Sequence, residues 1–369
     1  LQLIHWMLKH ADIHPQFSLN GHSFQKKTLT DFASDFIKEG ESFEKEIGQF
    51  IMNWLSENDT IQVNTSGSTG KPKTILLRKE HMFNSARATG NFFHLEPGNS
   101  ALHCLPTEFI AGKMMLVRAM VLGLEMDCIA PSSSPLINSN KHYDFAAMVP
   151  LQLENSTHEI DSIEQIIVGG APVSNRLRQM LQGKETKVFE TYGMTETITH
   201  IAARLVNPKN EQNREMESRP FQTLPNVFIK TDARDCLVIE APNISDSVVI
   251  TNDIVNLVSN TEFEWLGRYD SVINSGGVKL VPEQIEKKLE LIVERPFFVA
   301  GLPDSSLGQK LVLVIEGDID KMQLMDIIKN CDELNKFQVP KEIYSVTQFS
   351  RTSNGKLNRK ETLARIKAA

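Results

Sequence analysis

IEQIIVGGAPVSNRLRQMLQGKETKVFETYGMTE, Ile163 to Glu196, holds one full turn of an α/β winding. IEQIIV is a short apolar run that stops at Gly169-Gly170-Ala171-Pro172. SNRLRQMLQG carries apolar residues at helical spacing and ends in Gly183, and KVFETYG is a second strand-like run. Strand, loop, helix, strand is the repeating unit of a parallel sheet. The same grammar extends upstream. SALHCLP (Ser100–Pro106), LEMDCIAP (Leu124–Pro131) and FAAMVP (Phe145–Pro150) read as strands, with GKMMLVRAMVLG (Gly112–Gly123) as a helix among them. Ligands of such sheets sit beyond the carboxyl ends of the strands. The loops Gly169–Pro172 and Tyr192–Glu196 would then share one site.

Nearer the start, TLTDFASDFIKEG (Thr28–Gly40) and ESFEKEIGQFIMNWLSEN (Glu41–Asn58) read as helices. IQVNT (Ile61–Thr65) and KTILLRK (Lys73–Lys79) read as strands on either side of a Ser/Thr/Gly loop, and a helix follows over Glu80–Leu95. From about 205 to 265, short strand-like pieces separated by turn residues predict a small β-rich subdomain: NVFIKT, CLVIEAP, SVVITN and TEFEWLG. A new α/β pattern begins at Arg268 and runs to a basic C-terminus. The expected fold class is α/β, with a large N-terminal α/β core over 1–266 and a smaller α+β domain over 267–369.

The bulk properties narrow the partners. The chain has 369 residues, 41% hydrophobic and 23% charged, with a formal net charge of -7. That balance argues against nucleic acid or an anionic membrane surface as the main partner. Four cysteines stand far apart, and ten histidines lack metal-ligand spacing, so neither a disulfide framework nor a zinc site is expected. No apolar run approaches a membrane span. The opening LQLIHWMLKHADIHPQ has no basic flank and no long apolar core; it reads as a short amphipathic helix rather than a signal peptide. A cytoplasmic protein is expected, with its oligomeric state open.

Four motifs carry chemistry. TSGSTGKPK comprises Thr65, Ser66, Gly67, Ser68, Thr69, Gly70, Lys71, Pro72 and Lys73. Its glycines let successive N–H groups point into one concavity, and its hydroxyls and lysines suit phosphate oxygens. A P-loop needs Ser or Thr after its Gly-Lys, and Pro72 excludes that reading. The plain alternative is a polar turn. In TYGMTE (Thr191–Glu196), Tyr192 can stack on a purine, Thr195 can bond a phosphate or carboxylate, and Glu196 can ligate Mg2+; the alternative is an aromatic-anchored turn. GRYDSVINSGGVKLVPEQIE (Gly267–Glu286) pairs Arg268 with Asp270 ahead of two glycines and a helix opened by Pro282; it also reads as a plain linker and hairpin. SNGKLNRK (Ser353–Lys360) reads as a solvated basic tail unless it folds back onto the core.

In this order and spacing the four motifs resemble those of the adenylate-forming acyl-CoA synthetase superfamily, from Val63 to the C-terminus. The resemblance implies a two-step ligase. A carboxylate attacks ATP to give acyl-AMP and pyrophosphate, and the acyl group then passes to a thiol, usually that of CoA. ATP, Mg2+ and CoA are the implied co-substrates. TSGSTGKPK would grip the β and γ phosphates. Gly169, Gly170, Ala171, Pro172 and Tyr192 would hold the adenine. Thr195 would contact the α-phosphate or carboxylate, and Glu196 the Mg2+. Asp253 and Arg268 would take the ribose, although Thr251-Asn252-Asp253 lacks the family's Gly. Asp270 would be the hinge of a mobile C-terminal domain, Gly276 and Gly277 would line the CoA channel, and Lys356 would be the catalytic lysine of adenylation.

Few residues precede the phosphate loop compared with longer members of the superfamily. This compact form resembles the o-succinylbenzoate–CoA ligases of menaquinone biosynthesis. MVPLQL (Met148–Leu153), IIVGGAP, TYGMTET, INSGGVKLVPEQIE and LPTEFIAGKMMLVRA (Leu105–Ala119) carry that resemblance. Phe109 stands where many relatives have His. Lys113 is the expected partner of the substrate's second carboxylate, with His200 near the acyl chain; for Lys113 the alternative is a solvent-facing helix lysine. The other functional readings are a ligase for another aryl or fatty acid, an enzyme charging a carrier protein, and an inactive nucleotide binder.

Overall fold

The computed structural model describes residues 13–65, 73–137, 141–208, 219–351 and 357–368. Most of the expected N-terminal helix, the loop residues Ser66 to Pro72, and Lys356 lie outside the described residues.

Five parallel strands form the centre of the main sheet. Their spatial order is Glu125–Cys128, Ser100–His103, Tyr143–Met148, Ile163–Val168, Lys187–Gly193. The winding reverses at Ser100–His103, whose two neighbours are the next two strands in sequence. Such a reversal opens a crevice at the carboxyl ends of the strands. Ser18–Leu19 and His22–Ser23 extend one edge.

On the other edge the pairing turns antiparallel. Strands His200–Leu205, Phe221–Thr223, Glu262–Arg268, Val249–Leu257, Cys236–Glu240 and Phe228–Thr231 follow in that order, completing a 13-stranded sheet. The β-rich stretch expected from sequence is therefore strand-forming, but its ladder continues the parallel sheet.

Four helices pack in two pairs, α1 (Lys26–Glu39) with α2 (Ser42–Leu55) and α3 (Lys79–Phe93) with α4 (Ile110–Leu122). α4 is apolar almost all round, and Met114 to Val121 are all buried. A helix of that kind belongs in an interior. α5 (Pro150–Asn155) and α6 (Asn175–Met180) are short. Ser174 caps α6 by accepting a hydrogen bond from Leu177 N.

A second sheet holds Val278–Leu280, Ile273–Ser275, Gly308–Glu316 and Phe297–Asp304, with Glu342–Val346 parallel to Gly308–Glu316. α7 (Pro282–Leu289), opened by its proline as expected, α8 (Lys321–Lys329) and α9 (Arg359–Ala368) accompany it. The hairpin Thr60–Thr65/Lys73–Arg78 forms a sheet of its own, with Thr65 in register with Lys73. Among the described residues no helix is long and apolar enough to cross a membrane.

Candidate active site

The glycine loop is tied to strands on both sides. Gly169 N donates to Met148 O at 3.2 Å, and Thr191 Oγ1 donates to Val168 O at 3.0 Å. A Cβ on Gly169 would stand 2.6 Å from Thr191 Oγ1, so the close approach needs glycine. Behind the loop, Glu190 accepts from Val173 N at 3.1 Å, from Arg204 Nε at 2.9 Å, and from Arg178. Burial alone would raise the Glu190 pKa; Arg204 and Arg178 outweigh it and hold the carboxyl below its usual range. Val173 directly follows Pro172, so this buried charge network fixes the exit of the loop.

TYGMTE ends in a strained turn. Thr195–Thr197 make one 3-10 turn. Ile198 then sits at φ 65° and ψ -61°, and Thr199 N donates across it to Thr197 O at 2.7 Å. This is a positive-φ γ-turn centred on a β-branched residue, a conformation that costs on the order of 1–3 kcal/mol. Burial of the Ile198 side chain and the bonds of Thr197 Oγ1 to the Met194 backbone hold it. The turn leaves Thr195 half-buried and Glu196 exposed, and returns the chain at buried His200. Nothing in the residue types announces it.

Asp253 is the meeting point of three elements. Tyr192 Oη donates to its Oδ2 at 2.7 Å, and Trp265 Nε1 donates to its Oδ1 at 3.1 Å. Arg268 Nη1 stands 3.7 Å from Oδ1. A bulge makes this possible. Asp253 pairs with Arg268, and Val255 pairs with Trp265, with a register shift between them. Residues three apart in an extended strand face opposite ways; the extra residue turns Trp265 and Arg268 toward one carboxylate. Burial, then the Asp253 charge, raises the Tyr192 pKa, so the phenol stays protonated and donates. Arg268 also donates to Asp270, from Nε at 3.1 Å. The guanidinium thus lies between the expected ribose carboxylate and the expected hinge.

Beyond the strained turn lies a buried polar cluster. Arg118 on α4 is 1% exposed. Its Nη2 faces His200 Nδ1 at 3.4 Å and its Nε faces Thr89 Oγ1 at 3.4 Å. Thr89 Oγ1 donates to Ser85 O, so it can only accept from His200 Nε2, 3.3 Å away. His200 is then neutral with its proton on Nε2. Burial, and secondly Arg118, hold its pKa well below the ordinary value. Burial pushes the Arg118 guanidinium down to about 9, still charged at neutral pH. No carboxylate among the described residues pairs with it. His200 also lines a cavity of about 180 Å³ with Ser85, Ala88, Asn91 and Val227. Ser85 Oγ is buried without a hydrogen bond.

Lys113 is engaged differently. Its Nζ donates to Thr107 O at 2.7 Å and Glu108 O at 2.6 Å, tying α4 to the preceding loop. Phe109, the residue before α4, is 39% exposed.

Gly276 and Gly277, at φ 58° and 81°, form the tip of the hairpin Ile273–Ser275/Val278–Leu280. Asp270 lies in the single turn Tyr269–Ser271. Gln284 Nε2 on α7 donates to Leu266 O at 2.7 Å, and Ser271 Oγ donates to Glu283 Oε1 at 2.9 Å. Arg359 anchors the C-terminal helix by donating to Glu286 at 2.8 Å. Through these contacts Gly169–Pro172, Tyr192–Glu196, Asp253, Arg268 and Asp270 form one continuous cluster. Sequence reasoning missed Arg118, Glu190 and Trp265. For Arg118 a signal existed: one cation in an otherwise apolar helical run.

The class follows from comparison. Residues 14–231 match the family model for AMP-binding enzymes, more than half of the chain, and the chain belongs to that family. Within it, the chain is an AMP-forming acyl-CoA synthetase. A crystallised acyl-CoA synthetase (AMP-forming)/AMP-acid ligase II-like protein from Dyadobacter fermentans is 34% identical, over 91% of this chain and 98% of that one, with a TM-score of 0.60. The 2-succinylbenzoate–CoA ligase of Listeria monocytogenes is 24% identical over 338 residues, covering 84% of this chain and 71% of that protein. The o-succinylbenzoate CoA synthetase of Bacillus subtilis, solved with its acyl-adenylate intermediate, shares the fold with a TM-score of 0.70 at 23% identity, over 81% of this chain and 67% of that one.

Proposed function

We propose that this ligase activates a dicarboxylic aryl acid, o-succinylbenzoate, and transfers it to CoA. The observation that carries the substrate class is Arg118. A buried guanidinium without a counter-charge is costly, and an anionic group of the substrate would compensate it. Its position against His200, four residues past Glu196, suits the far end of an acid whose other carboxylate reacts near Thr195. Lys113, already held by two carbonyls, is the weaker candidate, and we move that role to Arg118. The cavity beside His200 would take the body of the acyl group.

In the first step one substrate carboxylate oxygen bonds to the α-phosphorus of ATP, and the bond to the β-phosphate bridging oxygen breaks, releasing pyrophosphate. In the second the CoA sulfur bonds to the acyl carbon, the acyl–phosphate bond breaks, and AMP leaves. Both need positioning and positive charge more than a side-chain nucleophile. We assign the phosphates to Thr65–Lys73, the adenine to Gly169–Pro172 and Tyr192, the ribose to Asp253 and Arg268, and adenylation to Lys356. Glu196, a single exposed carboxylate, fits Mg2+, which keeps most of its water and binds through one or two carboxylates plus phosphates; the ion would neutralise phosphate charge. We infer that 267–369 moves as a unit about Asp270, bringing Lys356 in and then Gly276-Gly277. The four unpaired cysteines suit a reducing cytoplasm.

A panel of carboxylic acids tests this, with pyrophosphate release and CoA thioester formation as readouts. The highest kcat/KM should fall to o-succinylbenzoate. Preference for a fatty or monocarboxylic aryl acid overturns the substrate, and transfer to a carrier-protein thiol instead of CoA overturns the acceptor.

A further inference from the structure

Resting on the reading of Asp253 as the ribose carboxylate, we propose that Trp265 is a positioning residue for sugar recognition, its indole N–H fixing Asp253 so that the site selects ribose over 2′-deoxyribose. An ionised carboxylate offers about four acceptor positions, two per oxygen. Tyr192 takes one on Oδ2 and Trp265 takes one on Oδ1. One position on each oxygen is left, which matches a pair of vicinal hydroxyls. With both oxygens tethered, the carboxyl plane cannot rotate, and two-point recognition needs that fixed plane. The tether exists because of the bulge between Ile254 and Val255, which brings Trp265 onto the face of Asp253. Below, Asp253 N donates to Thr251 Oγ1 at 3.0 Å, and Thr251 Oγ1 donates to Leu237 O at 2.8 Å, so the backbone under the carboxylate is held as well.

Arg268 cannot substitute for the indole. It stands 3.7 Å from Oδ1, beyond hydrogen-bond distance, and its Nε is directed to Asp270. Among the described residues only Trp265 and Tyr192 fix the orientation, and Tyr192 already contributes its ring to the packing with Phe263 at 5.1 Å between centroids. The indole N–H has no comparable second duty.

The test compares Trp265→Phe with the unaltered chain using ATP and 2′-deoxy-ATP in the pyrophosphate-release assay. The variant should raise KM for ATP about tenfold, the effect of losing one bond to a charged group, with kcat within about twofold. KM for 2′-deoxy-ATP should stay within about twofold, so discrimination between the two nucleotides collapses. An equal rise for both nucleotides, or none for either, overturns the proposal. Fluorescence of the unaltered chain supplies a second test that needs no variant. Of the three tryptophans, Trp54 is fully buried in the core, Trp6 lies outside the described residues, and Trp265 adjoins Asp253. AMP should shift the emission and 2′-deoxy-AMP should shift it less; equal shifts overturn the proposal. Absence of AMP binding by calorimetry would instead overturn the nucleotide reading on which it rests.

Discussion

Arg118 Nη2 lies 3.4 Å from His200 Nδ1, and no carboxylate among the described residues meets the guanidinium. An arginine so placed should weaken the free fold and serve the bound substrate. Arg118→Met keeps most of the volume and removes the buried charge. We expect it to raise stability by about 1–2 kcal/mol, because an apolar replacement avoids the desolvation penalty. It should also lower kcat/KM for o-succinylbenzoate by about a hundredfold, and leave a monocarboxylic aryl acid within about threefold. Denaturant midpoints and the acid panel check both. A variant that is destabilised and equally impaired with every acid would make Arg118 a purely structural residue.

Acid should unfold the chain earlier than its composition suggests. Burial lowers His103 to about 4 and His200 well below 6.5. An unfolded chain takes up protons on both near pH 6.5, and the folded chain does not. Stability is therefore level above about pH 7 and falls below pH 6.5, by about 1.4 kcal/mol per pH unit for each histidine. The loss from His103 continues to about pH 4. His14 and His81 are also lowered by burial and add to the slope. Urea midpoints between pH 7.5 and 5 should show the decline, and His103→Gln should remove about one proton from it. An unchanged slope in that variant would contradict the assignment.

Glu190 joins the Gly169–Pro172 loop to the sheet through two guanidinium groups and Val173 N. Glu190→Gln keeps the shape, removes the charge and leaves Arg178 and Arg204 facing each other. Loss of one partner from a buried ion network costs about 3 kcal/mol. The loop Gly169–Pro172 should loosen with it, so KM for ATP should rise while KM for the acid changes little. Below pH 4.5 the unaltered chain loses the same contribution, because a carboxyl held low stabilises only while it is ionised. Equal KM for ATP in both proteins would detach the network from the nucleotide site.

The winding was legible from sequence because each strand-like run in Ser100–Gly193 stops at or just before Pro or Gly, and the helical stretches between them are closed by Gly123 and Gly183. The continuous sheet was not, because pairing such as Ala203 with Gln222 depends on register between distant segments. The cations on α4 show a second limit. Lys113 and Arg118 are five residues apart, about 140° around the helix, so only one can face a given neighbour. Sequence reasoning singled out Lys113 and passed over Arg118, because residue types alone do not say which face is turned inward; the structure buries Arg118 against α3 and ties Lys113 to the preceding loop. Trp265 was hidden for a related reason. Strand alternation puts it and Arg268 on opposite faces, and only the bulge reunites them; Gly267, inside the strand at φ 154°, was its one local sign.

Two glycines of the site are required for different reasons, and alanine separates them. At Gly193 a Cβ would lie 2.2 Å from Thr199 O and 2.4 Å from His200 Cα, both backbone atoms that cannot step aside. Gly193→Ala should push apart the strands Lys187–Gly193 and His200–Leu205, displace His200 from Arg118, and cost about 3 kcal/mol or more. Gly170 has room, its nearest neighbour being Val149 Cγ1 at 3.7 Å, but its φ of 86° is one that alanine adopts only under strain. Gly170→Ala should cost about 1 kcal/mol and raise KM for ATP, with the acid pocket intact. Thermal midpoints order the two variants, and KM values for ATP and acid assign the damage. If Gly193→Ala is the milder of the two, the close crossing of backbones at the strained turn is not what the glycine serves.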